Sequence, residues 1–181
     1  VLFGDHNPEG RLPVTFPRHA GQLPVYYNFK PSKEYWITQG WGRPYADMDP
    51  QPLYPFGYGL SYTKFEYSDL RIREKTIGPG GTVHLAVSIR NVGSRKGVEV
   101  VQLYIRDVLS SVTTPVKRLR GFRKVALESG AKSDVEFTLG PDDLSLLNRH
   151  LERVVEPGDF AVMIGASSRD IRLSGKFEVS E

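Results

Sequence analysis

Val83-His84-Leu85-Ala86-Val87-Ser88-Ile89-Arg90 is the stretch on which the fold turns. Val83, Leu85, Val87 and Ile89 recur at every second position, with His84, Ser88 and Arg90 between them. Successive side chains leave opposite faces of an extended chain, so this period describes a strand with one face in a core and the other toward water. The same alternation appears at Val101/Leu103/Ile105, Val135/Phe137/Leu139 and Phe160/Val162/Ile164, and more briefly at Leu70/Ile72 and Phe177/Val179. Turn-forming residues separate these runs at Gly78-Pro79-Gly80-Gly81, Asn91-Val92-Gly93, Ser129-Gly130 and Glu156-Pro157-Gly158. With a further strand over Val116–Phe122, the chain from Leu60 onward reads as about seven short strands in an antiparallel β-sandwich. One interruption follows Pro141, where Asp142 and Asp143 are placed to cap a helical turn between strands.

Upstream the grammar changes. Residues 1–60 hold nine of the 13 prolines and 12 of the 20 aromatic residues. Proline removes a backbone donor and fixes φ, so the stretch is expected to be mostly extended loop. Chains that stay disordered are poor in aromatics, so this one needs a surface to cover. Packing against neighbouring domains is the plain role for its rings, and stacking of Trp36, Trp41 or Tyr45 on sugar is the sharper one.

Composition bounds the rest. At 181 residues, with 39% hydrophobic and 25% charged residues, the chain has the make-up of a globular protein with a core of its own. Its net charge of +3 is too small to suggest a nucleic-acid partner, and no apolar run approaches the roughly 18 residues that span a bilayer. Without cysteine there are no disulfides and no thiolate metal sites. That composition suits either side of an inner membrane, with a periplasmic or extracellular setting slightly preferred. The sequence opens at Val1, which reads as the inside of a structural element.

Three stretches carry a resemblance. Leu2 through Pro17, with Asn7-Pro8-Glu9-Gly10-Arg11-Leu12-Pro13 at its centre, resembles the run that closes the α/β sandwich domain of family 3 glycoside hydrolases, with Glu9 where serine is usual. Pro52 through Phe65 is similar to that family's link into its β-sandwich. Asn91-Val92-Gly93, Gly97 through Tyr104, Lys117 through Phe122 and Glu156-Pro157-Gly158 resemble its fibronectin type III-like domain. The resemblance implies a mainly β chain. Residues 1–60 would form the last segment of an α/β domain and the interdomain link, and residues 61–181 an immunoglobulin/fibronectin type III-like sandwich.

It also implies a β-glucosidase-like enzyme acting with retention, its Asp nucleophile in an N-terminal barrel and its acid/base Glu in the α/β domain. Such carboxyls stand about 5–5.5 Å apart across the bond cut. Neither motif has a counterpart here, so no catalytic residue is assigned and the chain alone is expected to be inactive. The expected partners are the N-terminal catalytic portion of the same enzyme and its β-glucoside or oligosaccharide substrate. Arg11, Phe16, Tyr54, Phe56 and Tyr58 are the expected interdomain packing residues, and Trp36, Trp41 and Tyr45 the substrate-proximal ones. A non-catalytic carbohydrate- or protein-binding sandwich is the alternative.

Other chemistry finds little support. Asp47/Asp49 and Asp142/Asp143 sit where solvated acids and caps are common. His6, His19, His84 and His150 lack metal-ligand spacing, no serine lies in a G-x-S-x-G elbow, and no phosphate-cradling glycine loop occurs, so no metal and no cofactor is expected. The basic run Lys117–Lys124 reads as a solvated face or a protected sheet edge.

Overall fold

The computed structural model describes residues 1–31 and 48–181, so Trp36, Trp41 and Tyr45 lie outside the described residues. Seven strands of eight to eleven residues form the frame: β1 (Phe65–Ile72), β3 (Val83–Asn91), β4 (Gly97–Asp107), β5 (Arg118–Leu127), β6 (Lys132–Leu139), β9 (Gly158–Gly165) and β10 (Ile171–Val179). Three two-residue strands complete it, β2 (Thr76–Ile77), β7 (Leu146–Leu147) and β8 (Arg153–Val154). β1, β3 and β6 make one sheet, in the order β1-β3-β6. The other runs β2-β10-β9-β4-β5, while β7 and β8 form a small hairpin.

Alternation places the core between the two sheets. Val83, Leu85, Val87 and Ile89 are at most 2% exposed, and they meet Val101, Leu103 and Ile105 of β4 with Phe160, Val162 and Ile164 of β9. Phe160 and Phe177 stack with ring centroids 5.4 Å apart, closing the layer at β9 and β10. The helical turn expected after Pro141 is present as α1 (Pro141–Leu144), where the Asp143 carboxylate accepts a 3.0 Å hydrogen bond from the Gly140 amide.

Four details depart from the sequence reading. Ser88, expected on the wet face, is 1% exposed on the middle strand of its sheet, where its hydroxyl donates to Asp134, its cross-strand partner on β6. β10 pairs β2 in parallel, a departure from an all-antiparallel sandwich made possible because β2 is only a two-residue addition to the sheet's edge. The strand read over Val116–Phe122 begins at Arg118 and continues to Leu127. Arg123 and Lys124 hid that continuation, yet the Arg123 guanidinium lies 5.7 Å from the centre of the Phe137 ring and covers the core's flank with its stem. β5 is an edge strand on which Arg123 and Lys124 are exposed, whereas Lys117, Arg118 and Arg120 are half-buried and face the protein. Finally, β4 is buried along both faces, a pattern that only a third layer explains.

At the far end of β4, Asp107 is 5% exposed and its Oδ2 has no hydrogen-bond partner. Burial, reinforced by the nearby Glu156 charge and opposed by Arg118 and the Leu109 amide, pushes its carboxyl up to about 6. A folded value above the unfolded one means that the folded chain holds the proton more tightly. The resulting stability is complete below the unfolded value of 3.8 and is lost as pH rises through about 6. Asp107→Asn removes this penalty. Urea titrations should therefore show the variant gaining on the parent chain between pH 4 and pH 8, by about 2–3 kcal/mol at most. An unchanged difference across that range would show that Asp107 does not titrate as a buried acid.

Candidate functional site

The third layer is the proline-rich arm. Its first and second motifs lie against each other, Leu12 donating to Tyr58 O and Gly57 to Leu12 O, each at 2.8 Å. Phe16 donates to Tyr54 O at 2.8 Å and Leu53 to Phe16 O at 2.9 Å, which makes a ribbon. Pro13, Pro17, Pro52 and Pro55 have no amide proton to add, so the pairing registers only as the single bridge Phe16↔Tyr54. The rings follow that register: Phe16 meets Tyr54 edge-on at 6.4 Å and Tyr54 stacks on Tyr58 at 5.2 Å.

β4 holds the ribbon at two places. Val101, Leu103 and Ile105 face the core, so Gln102 and Tyr104 face outward, where the arm buries them at 3% and 0% exposure. The Gln102 amide donates to Gly57 O at 3.1 Å and to Ala166 O at 2.7 Å, and its carbonyl accepts from the Tyr104 hydroxyl at 2.6 Å. Tyr27 stands edge-on to Tyr104 at 5.8 Å and stacks on Phe56 at 4.2 Å. The backbone follows, with Ser168 donating to Phe56 O and Val116 to Phe29 O, each at 2.9 Å. Every polar group of Gln102 on this dry face thereby has a partner.

The second place is charged. β4 pairs β9 only over Gln102–Asp107, so Glu99, on the core side, lies past the end of β9. There the Arg11 guanidinium reaches it at 2.7 Å, with the two side chains 10% and 6% exposed. Asn7 fastens the same end, its Nδ2 donating to Lys96 O at 3.0 Å while its Oδ1 accepts from the Tyr62 amide at 2.8 Å.

Gly57 shows how closely the pieces fit. It sits at φ +80°, and a Cβ there would stand 2.1 Å from the Gln102 amide oxygen. Gly57→Ala is expected to cost about 2–4 kcal/mol, from the left-handed backbone and the displaced Gln102 together. Urea unfolding monitored by tyrosine fluorescence would measure it, and a loss below 1 kcal/mol would mean that the arm shifts freely on β4.

Of the residues singled out from sequence, the structure brings Arg11, Phe16, Tyr54, Phe56 and Tyr58 into one ribbon on β4. Tyr27 was among the arm's rings expected to cover a surface, whereas Glu99, Gln102, Tyr104 and Asn7 were not singled out, although two polar side chains inside an apolar strand were a visible signal for the first two. Chemically the arrangement is a joint. The buried Glu99 carboxylate is held by Arg11, and among the described residues no three acidic or histidine side chains converge as a metal site.

The arm and the sandwich match separate family models. Residues 1–62 match the glycosyl hydrolase family 3 C-terminal domain, and residues 99–168 a fibronectin type III-like domain. The chain is 41% identical to the periplasmic beta-glucosidase of Salmonella typhimurium, aligned over 99% of its own length and 24% of that protein. It is 44% identical to a beta-xylosidase of Formosa agariphila, over 93% of itself and 23% of that protein. The crystal structure of beta-glucosidase from Listeria innocua in complex with glucose superposes with a TM-score of 0.88 at 39% identity, covering 99% of this chain and 25% of that one. The chain thus spans about a quarter of the length of the relatives it matches.

Proposed function

The chain belongs to glycoside hydrolase family 3, of which it is a C-terminal region, and from that premise we propose that the whole protein is a retaining β-glycosidase that this portion stabilises. In this reading residues 1–60 complete the α/β domain, residues 61–181 hold them in register, and the nucleophile and the acid/base belong to the upstream portion. The observation that carries it is an arm both fixed and exposed. The arm is fixed to β4 through Arg11, Gly57 and Tyr27, while Val14, Leu23 and Leu53 are left 53%, 59% and 46% exposed. Large apolar side chains left exposed on a segment that is itself fixed call for a cover, and the catalytic portion of the same polypeptide is the cover proposed.

Beta-glucosidase and beta-xylosidase both occur among the names of the relatives, so the proposed substrate class is a β-linked glucoside or xyloside. The test is to assay the complete polypeptide and this chain side by side on aryl β-glucoside and aryl β-xyloside, following the first-formed anomer by proton NMR. The expected result is hydrolysis by the complete polypeptide with the β-anomer first, and none by the chain alone. Activity in the isolated chain, or the α-anomer appearing first, would overturn the assignment.

A further inference from the structure

Residues 108–127 contain five cations and no Asp or Glu, a charge of +5 in a chain whose total is +3. The five are Lys117, Arg118, Arg120, Arg123 and Lys124, and all but Lys117 lie on β5. Among the described residues none of them forms an ion pair. Lys117 donates to Ser168 O and Arg118 to Ser145 O, while Arg123 donates to Phe122 O and lies over the Phe137 ring. Arg118 Nη2 and Arg120 Nε are buried without an acceptor, and Lys124 is exposed. Burial, and then the Arg120 charge, hold the Arg118 guanidinium below its ordinary value, with Asp107 and Asp143 acting against them. Like charges crowded on one strand gain from an anion brought alongside.

The strand also offers a place for that anion. β5 is an edge, with β4 on one side and no strand on the other. Phe122 stands opposite Gln102 in the β4–β5 register, so it belongs to the face of the sheet that the arm covers, yet it is 57% exposed. Lys124, two residues on, shares that face. A bare ring beside a cation on a free strand edge suits an extended acidic segment that carries an apolar side chain. A second copy of the same edge does not fit, because it would set like charges against each other. About three quarters of the relatives' length lies outside this chain, and the portion proposed to cover the arm lies on the side that Phe122 faces.

We propose that β5 docks an acidic, extended segment of the upstream catalytic portion, its carboxylates meeting the β5 cations and an apolar side chain meeting Phe122. The proposal rests on the reading that the catalytic portion belongs to the same polypeptide, and adds where and by what chemistry it meets the sandwich.

Hydrogen exchange read by mass spectrometry over residues 118–127, in the complete polypeptide and in this chain, tests it. The β5 amides are expected to exchange at least about tenfold more slowly in the complete polypeptide. That protection should shrink in about 1 M NaCl, where the Debye length is about 3 Å. Lys124→Glu should remove most of it from the complete polypeptide while leaving the melting temperature of this chain unchanged, since Lys124 is exposed. Equal exchange in the two proteins would overturn the proposal. So would protection that rises with the concentration of this chain alone, which would assign the surface to a second copy. Protection indifferent both to salt and to Lys124→Glu would overturn its acidic part. Hydrolysis of aryl β-glucoside and aryl β-xyloside by the same complete polypeptide separates the two readings. Activity with an unprotected β5 sinks the docking alone, and a protected β5 without activity sinks the reaction alone.

Discussion

Asn91→Ala should destabilise the chain by about 3–5 kcal/mol, the sum of several buried polar groups left without partners. Asn91 is 0% exposed and its side chain is fully used. Its Oδ1 accepts from the Thr63 hydroxyl at 2.6 Å and the Gly93 amide at 3.1 Å, while its Nδ2 donates to Arg95 O at 2.7 Å and Leu127 O at 3.0 Å. One side chain therefore joins the end of β3, the turn into β4, the end of β5 and the approach to β1. Alanine leaves the Thr63 hydroxyl and Leu127 O unpartnered in buried positions, and Arg95 O and the Gly93 amide unpartnered in part-buried ones. Asn91→Asp separates the alternatives, since it keeps the acceptors but turns the two donors into lone pairs facing carbonyls. It should be at least as damaging at pH 7 and partly restored at acidic pH, where the protonated acid can donate once. Urea unfolding followed by circular dichroism measures both, and a loss under 1 kcal/mol for Asn91→Ala would show that the turn is held by its backbone alone.

Arg11→Met is expected to cost about 3–5 kcal/mol by leaving the Glu99 carboxylate buried without its counter-charge. Glu99 still accepts from the Val100 amide at 2.8 Å, but that bond does not replace a guanidinium at 2.7 Å. The consequence should be local first. Arg11 belongs to the arm and Glu99 to β4, so the arm should become sensitive to protease near Leu12 while the sandwich strands stay protected from hydrogen exchange. The double variant Arg11→Met/Glu99→Leu should recover most of the loss, because replacing both charges by apolar groups removes the desolvation cost along with the attraction. The coupling from that double-mutant cycle is the measurement, and additive single losses would mean that the pair is not a unit.

These two sites differ in how visible they were. Asn91 was legible as a turn residue from Asn91-Val92-Gly93, but a turn signal says nothing about what the side chain bonds, since Thr63 and Leu127 lie 28 and 36 residues away. Arg11 was legible through the resemblance carried by Asn7 through Pro13. Its partner was not, because Glu99 lies 88 residues on, within a strand whose alternation alone places it without revealing what covers it. Arg123 misled in the opposite direction, since a charge in a strand reads as an end when its stem can instead lie over Phe137.

The sequence by itself determined the sandwich. Period-2 runs and the turns between them are local properties, and every long strand except β5 needs only its own residues to declare one face for a core. It also led to the expectation of an irregular arm, as found over residues 1–31 and 48–60, because each proline lacks the amide proton that a continuous ladder needs. Only the tertiary structure decided where the arm lies. That β4 is buried on both faces, that Gln102 and Tyr104 serve as a floor, and that Arg11 closes on Glu99 depend on surfaces brought together from distant parts of the chain. A local pattern records how a segment divides between core and water, whereas the choice among several possible covers is made by complementarity of shape and charge, which exists only once the sheets have formed.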